Sequence, residues 1–242
     1  MSIDMHRIDV NGLAVDVVRK DIKNLHLAVY PPNGRIRVAV PLLLNDEAVR
    51  LAVIERLAWI KRQQLKFQEQ DRQSRREYVS GESHYFQGRR YRLNMVEYDG
   101  PGKVVIRNKR VIDMYIRPGS TLPQRQRLMR AWYRAYLRSI LPPMIAQWEQ
   151  VMGVEVGDWG IKEMKTRWGT CTIEARRIWI NLELAKKPPR NVEYILVHEM
   201  VHLLERHHNE TFMAYMNKFL PSWRQYRDEL NRAPLAHEEW GY

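Results

Sequence analysis

Three polar side chains stand together in the otherwise apolar segment 194–204: His198, Glu199 and His202. Four residues advance an α-helix by about 40° beyond one full turn, so the two histidines project from the same face and can share one metal ion. Glu199 then places a carboxylate beside that metal, where it can take a proton from water and later deliver it to a leaving group. This spacing predicts metal-assisted hydrolysis.

A catalytic zinc ion needs a third protein ligand and leaves its fourth position to water. We predict His208 for that role. It lies ten residues after His198, so the chain has to turn before it for both rings to reach one metal. Asn209 favours such a turn and can cap a new helix. His207 and Glu205 stay open as alternatives, because the first is adjacent to His208 and the second falls on the ligand face of the helix.

A buried apolar helix can hide two histidines and a glutamate only at a high cost in free energy, which a metal ion and a water-filled cleft remove. We therefore interpret these residues as a site and not as core. Trp168, Gly169 and Cys171 are expected to form a tight turn at a strand end that faces the metal helix. Cys171 is interpreted as a small buried thiol and not as a ligand.

Hydrolysis at a carbonyl group also requires a donor to the developing oxyanion, and the sequence leaves four candidates for it: Tyr215, His207, Arg167 and Lys165. An extended peptide can bind by pairing with a free strand. The strand at 178–180, which precedes Asn181, is predicted to be an exposed edge that could pair in this way.

The elements that position these residues follow from periodicity. Short alternating segments between residues 6 and 40 predict antiparallel strands, and Asn45 or Asp46 can cap a helix running to about residue 72 that packs on them. Further strands are predicted between residues 85 and 116. Apolar residues at helical spacing then predict a helix over 121–152, which Pro142 and Pro143 are expected to kink or split.

The C-terminal part is predicted to contain a strand at 159–164, a turn around Gly169, a strand at 177–182 and a break at Pro188 and Pro189. Three helices follow: one from about residue 191 into the 205 region, one from Asn209, and one between Pro221 and Pro234. No sequence repeat is visible. The expected fold class is α+β, with a β-rich subdomain at 1–120 and a mainly helical catalytic domain with a small antiparallel sheet at 121–242.

Composition indicates the cellular compartment and the kinds of partner to expect. The 242 residues include a single cysteine, which excludes an internal disulfide and fits a reducing compartment. The first residues carry charges where a signal peptide needs an apolar stretch, and no segment is apolar enough to span a membrane, so we expect a cytoplasmic protein. A formal net charge of +12 permits association with polyanions, including nucleic acid.

The sequence resembles the YgjP-type metallopeptidases, relatives of the SprT and broader zincin group. Pieces of that family's pattern occur in the family's order at 59–61, 78–82, 88–93, 167–172, 178–182 and 198–203, followed by His208. The resemblance covers most of the chain. It implies a zincin-like catalytic domain that binds Zn²⁺ through His198, His202 and His208, with Glu199 as general base and peptides or proteins as substrates.

The leading hypothesis is therefore a zinc peptidase, and two others stay open. A basic protein with a hydrolytic metal could instead cleave a phosphoanhydride, as a nucleotide pyrophosphatase does, although no glycine-rich phosphate loop or carboxylate cluster for Mg²⁺ is visible. A nucleic-acid-binding protein with a structural metal is the third hypothesis. Glu199 beside the ligands argues against it, because a closed structural site needs no base.

Overall fold

A computed structural model describes residues 5–30, 33–69, 76–164 and 167–232. Strands and helices follow one another in separate groups, which confirms the predicted α+β class. The described residues form two compact units that divide between residues 73 and 74. Each unit has its own hydrophobic core.

The first unit is a four-stranded sheet followed by two helices. Its elements are β1 (Met5–Val10), β2 (Leu13–Lys20), β3 (His26–Tyr30), β4 (Arg35–Pro41), α1 (Asp46–Glu55) and α2 (Leu57–Glu69). Asn45 caps α1 as predicted, since its side chain accepts a hydrogen bond from the backbone N–H of Ala48. The predicted single helix is divided at Arg56. Val49 and Val53 of α1 and Ile60 of α2 share one core with the sheet, as the helical spacing indicates.

Strand direction differs from the prediction in this unit. The strand order is β1-β2-β4-β3, and only the outer pairs are antiparallel, because β2 and β4 run parallel. Alternation along a strand predicts which side chains face the core but carries no information about the direction of the neighbouring strand. The expectation of antiparallel strands throughout was therefore wrong for the central pair.

A second sheet with the same arrangement opens the second unit. Its strands are β5 (Ser83–Phe86), β6 (Arg89–Glu97), β7 (Lys103–Ile106) and β8 (Val111–Ile116), in the order β5-β6-β8-β7 with a parallel central pair. The first hairpin of each sheet turns on a residue and a glycine with positive φ, Asn11-Gly12 and Gln87-Gly88, as two-residue hairpins require. The fold thus contains the same four-stranded motif twice, although the sequence shows no repeat.

Helix α3 (Leu122–Met152) is a single element of 31 residues. It begins with a capping box between Thr121 and Gln124, and it continues through Pro142 and Pro143, where a split was expected as one possibility. Its buried face includes Leu141 immediately before the prolines and Ile145 after them. Burial of that face offsets the backbone hydrogen bonds that two prolines remove.

The remaining elements form the C-terminal part of the second unit. They are β9 (Asp158–Lys162), β10 (Gly169–Thr172), β11 (Arg177–Asn181), a 3₁₀ helix (Leu182–Lys186), α4 (Pro189–Val201), α5 (Glu210–Phe219) and α6 (Trp223–Arg232). The small sheet has the order β10-β11-β9. It is mixed and not purely antiparallel, because β9 pairs with β11 in parallel.

One core joins the second sheet to the helices. It includes Leu93 and Ile112 of the sheet, Leu137 of α3 and Leu196 of α4. The subdomain boundary expected near residue 120 lies inside this unit, since the sheet at 83–116 buries its apolar face against the elements that follow it.

Because Leu137 is fully buried in this core, Leu137→Ala should lower the free energy of unfolding of the second unit by about 3 kcal/mol. Urea denaturation followed by tryptophan fluorescence measures the change. The matched control is Leu122→Ala on the same helix, where the side chain is 39% exposed and a change below about 0.5 kcal/mol is expected. Equal losses in the two variants would contradict this packing.

Candidate metal centre

Helix α4 presents the first two histidines. Pro188 precedes it and Pro189 occupies its first position, where a missing backbone N–H costs nothing. The helix is buried on most sides, and His198 is half-buried on it. It ends at Val201, earlier than predicted, so His202 caps its C-terminus.

A short turn carries the chain from α4 to His208. The side chain of Glu205 accepts a hydrogen bond from the backbone N–H of His207 at 2.9 Å. The side chain of Asn209 accepts one from the backbone N–H of Phe212 at 3.0 Å, so it caps α5 as predicted. The turn that the third ligand requires is therefore present, and it brings the His208 ring back to the end of α4.

Three imidazoles converge as a result. Nε2 of His198 and Nε2 of His208 lie 3.1 Å apart, and one nitrogen of each of His198, His202 and His208 lies within 4.8 Å of the others. In a tetrahedral zinc site with bonds of 2.0–2.1 Å, ligand nitrogens stand roughly 3.3 Å apart. The three side chains therefore fit one metal ion. Among the histidines, cysteines and acidic residues that the structure describes, no other set of three comes together in this way.

Neighbouring groups orient the rings. Nδ1 of His202 lies 3.2 Å from the carbonyl oxygen of Glu205, so a proton on Nδ1 leaves Nε2 free to bind a metal. Nδ1 of His198 is buried without a hydrogen-bond partner among the described residues. The ring of Phe212 packs against all three imidazoles at centroid distances of 4.6–5.0 Å. Phe212 itself is 1% exposed and forms an apolar floor under the site.

The protonation of these rings suits metal binding. Burial, together with the neighbouring His202 and His208, lowers the pKa of His198 to about 3. Burial also lowers the pKa of His202. Neutral imidazole is the form that binds metal, so at neutral pH the site does not have to lose protons from these two rings before an ion enters.

Glu199 is 6% exposed and lies under strand β10. Burial raises its pKa to about 8, while the positive charge of Arg167 and a hydrogen bond from the backbone of Cys171 act in the opposite direction. A carboxyl group placed in this way can exchange a proton near neutral pH.

The family to which a protein with these three histidines and this glutamate belongs follows from comparison with known families. A family model described as the YgjP-like metallopeptidase domain matches residues 23–233. The chain belongs to the YgjP-like metallopeptidase family. Membership makes it a metal-dependent peptidase with peptide or protein substrates, and it implies a divalent metal ion.

Two further comparisons add less. The chain is similar to the crystal structure of the metallopeptidase zymogen abylysin from Pyrococcus abyssi, with 17% identity and a TM-score of 0.34 over 36% of this chain and 89% of that one. Among curated proteins, no sequence matches significantly. Within the described ranges, no helix of this YgjP-like chain is long and apolar enough to cross a membrane.

The alternative ligands in the YgjP-like chain lie outside the cluster. His207 is exposed, and its backbone N–H donates a hydrogen bond to the side chain of Glu205. Neither residue belongs to the group of converging ligands. Cys171 is a half-buried free thiol. Burial, together with the charges of Glu199 and Glu174, raises the pKa of Cys171 to about 11, which keeps its sulfur protonated and opposes metal binding.

The structure describes three of the four candidates for the oxyanion donor. Arg167 is exposed, and its charge acts on Glu199. The ring of Tyr215 stacks on Phe219 with centroids 5.9 Å apart, and His207 is exposed at the turn. Lys165 lies outside the described residues.

Two further expectations about the small sheet were wrong. Gly169 was placed in a tight turn, but it begins β10 and pairs with Ile180. The strand at 178–180 was expected to be an exposed edge, but β11 is central, and Asn181 is fully buried. Sheet order depends on pairing between distant segments, which local periodicity cannot supply.

Gly169 has a role at the site that its residue type alone could have suggested. A Cβ atom at this position would lie 2.7 Å from Oε1 of Glu199 and 2.8 Å from Cγ2 of Ile195. Glycine therefore allows the backbone of β10 to lie directly against the carboxylate. A glycine in a strand is a known signal for close approach of another group.

We expect Gly169→Ala to displace β10 or Glu199 and to lower kcat/KM for peptide cleavage about 10²-fold, since misplacement by roughly 1 Å has that effect in active sites. Metal content should not change, because the atoms nearest to the added Cβ belong to Glu199 and Ile195 and not to the three histidines. Thr170→Ala is the control, as its side chain points to the opposite face of the strand. Wild-type activity in Gly169→Ala would show that the close approach is not needed.

Proposed function

We propose that this chain is a zinc-dependent peptidase in which His198, His202 and His208 bind Zn²⁺ and Glu199 is the general base. The convergence of three imidazole nitrogens beside a buried carboxylate carries the proposal. Family membership supports peptide hydrolysis, and the donor set supports the choice of metal, because neutral imidazoles with an open fourth position suit zinc.

Zinc at such a site supplies Lewis acidity, which polarises a carbonyl group and lowers the pKa of water. The contribution of the chain itself lies in Glu199. Its carboxylate accepts a proton from the attacking water and donates it to the leaving amine. The backbone N–H of Cys171 and the positive charge of Arg167 favour the ionised form, and burial favours the protonated one, so both forms are accessible during a cycle.

Strand β10 is suited to hold the substrate. It pairs with β11 on one side and, within the described part of the chain, with no strand on the other. It also carries Gly169 against Glu199. An extended peptide that adds to this free edge would run past the carboxylate with its backbone held by main-chain hydrogen bonds. In our proposal, therefore, β10 and not β11 is the edge strand that pairs with an extended peptide.

The two other hypotheses have less support. A structural zinc site has four protein ligands, whereas the described residues offer three, so the open position favours catalysis over a structural metal in a nucleic-acid-binding protein. Phosphoanhydride hydrolysis with Mg²⁺ calls for carboxylate ligands, and the converging group contains only histidines among the described residues.

Replacement of Glu199 tests the proposed base. Glu199→Gln keeps the shape of the side chain and removes its ability to accept a proton, so kcat/KM for a quenched fluorescent peptide should fall by about 10²- to 10⁴-fold. Zinc content should stay at the wild-type level. Glu155→Gln, which changes an exposed carboxylate in the same way, should retain full activity.

Cleavage in the wild type should stop on treatment with a chelator and return with zinc. The proposal would be contradicted by a Glu199→Gln variant that cleaves peptides at the wild-type rate. It would also fail if the zinc-loaded protein released phosphate from nucleotides and cleaved no peptide.

A further inference from the structure

Asn181 fixes the segment that enters β10. Its side chain is fully buried, and its amide group donates hydrogen bonds of 2.7 Å to the carbonyl oxygens of Met164 and Arg167. The backbone N–H of Asn181 donates to the carbonyl oxygen of Trp168 at 2.9 Å. A fully buried amide that bonds both sides of a loop holds the backbone of Arg167 in one place.

That place is beside the proposed general base. Arg167 stands two residues before Gly169, whose backbone touches Glu199, and the charge of Arg167 acts on that carboxylate. The side chain of Arg167 is nevertheless exposed. Among the described residues, no carboxylate lies within ion-pair distance of its guanidinium and no hydrogen bond holds it. The chain therefore fixes the backbone of this arginine and leaves its guanidinium exposed to solvent.

A guanidinium presents its donors in a planar fork that matches a carboxylate in two parallel hydrogen bonds. The net charge of +12 attracts acidic molecules at longer range.

We propose that Arg167 binds a carboxylate of the substrate close to the scissile bond, so that the enzyme prefers acidic peptides. This inference rests on the proposed peptidase function. The carboxylate can belong to an Asp or Glu side chain or to the C-terminus of the peptide, and both present the same chemistry to the guanidinium.

Four forms of one quenched fluorescent peptide separate these sources. They carry Glu or Gln on both sides of the scissile bond, each with a free or an amidated C-terminus. We measure kcat/KM with the zinc-loaded full chain, and we measure binding by fluorescence anisotropy in the presence of a chelator, where no turnover occurs.

Wild type should prefer the matching carboxylate about tenfold in kcat/KM and in affinity, and the preference should weaken at high salt. Preference for Glu assigns the carboxylate to a side chain, and preference for the free terminus assigns it to the C-terminus. Arg167→Gln should abolish the preference, and Arg167→Lys should retain part of it. Arg177→Gln is the control, since it removes one positive charge from an exposed ion pair with Asp158 on the same sheet.

A wild type without preference, or an Arg167→Gln variant that keeps it, would overturn the inference. So would an equal fall in kcat for all four peptides in Arg167→Gln, because that pattern belongs to a group that acts on the carbonyl common to them. If no peptide is cleaved but the binding preference is present and depends on Arg167, the peptidase proposal fails and the carboxylate site stands.

Discussion

The close approach of His198 and His208 is the constraint on which the C-terminal half of the protein depends. Their Nε2 atoms lie 3.1 Å apart although the residues belong to different segments, one in α4 and one in the turn before α5. Two ring nitrogens at this distance repel each other when both carry lone pairs, unless a proton or a metal ion lies between them. The end of α4 at Val201, the turn and the cap at Asn209 all serve to bring the second ring back to the first.

The same constraint extends through the packing around the rings. Phe212 can support all three imidazoles only because Asn209 starts α5 directly after the turn. Glu199, the residue after His198 on α4, is buried by β10, and Gly169 sets how closely that strand approaches. The apolar floor formed by Phe212 therefore supports the three ligands, and strand β10 covers the carboxylate of Glu199. The exposed ring of His208 marks the side of the site that faces solvent.

Much of this site could be predicted from the sequence, because its determinants are local. The spacing of His198 and His202 on one helical face, the turn before Asn209 and the exclusion of Cys171 follow from residue type and position alone. The direction of β4 beside β2 and the central place of β11 could not be predicted in this way, since both depend on pairing between segments distant in the chain. The unbroken course of α3 through Pro142 and Pro143 depends likewise on burial of its apolar face, which outweighs a strong local signal. The buried role of Asn181 escaped prediction for the same reason, because its partners come from a loop that only the folded sheet brings near.

Zinc content per chain, measured by elemental analysis after removal of excess metal, tests the central claim most directly. The wild type should bind about one zinc ion, His208→Ala should lose most of it, and the adjacent His207→Ala should retain it, because only His208 lies in the converging group. Full retention in His208→Ala with loss in His207→Ala would move the third ligand to His207. A folded wild type that binds no zinc when the metal is supplied would contradict the account as a whole.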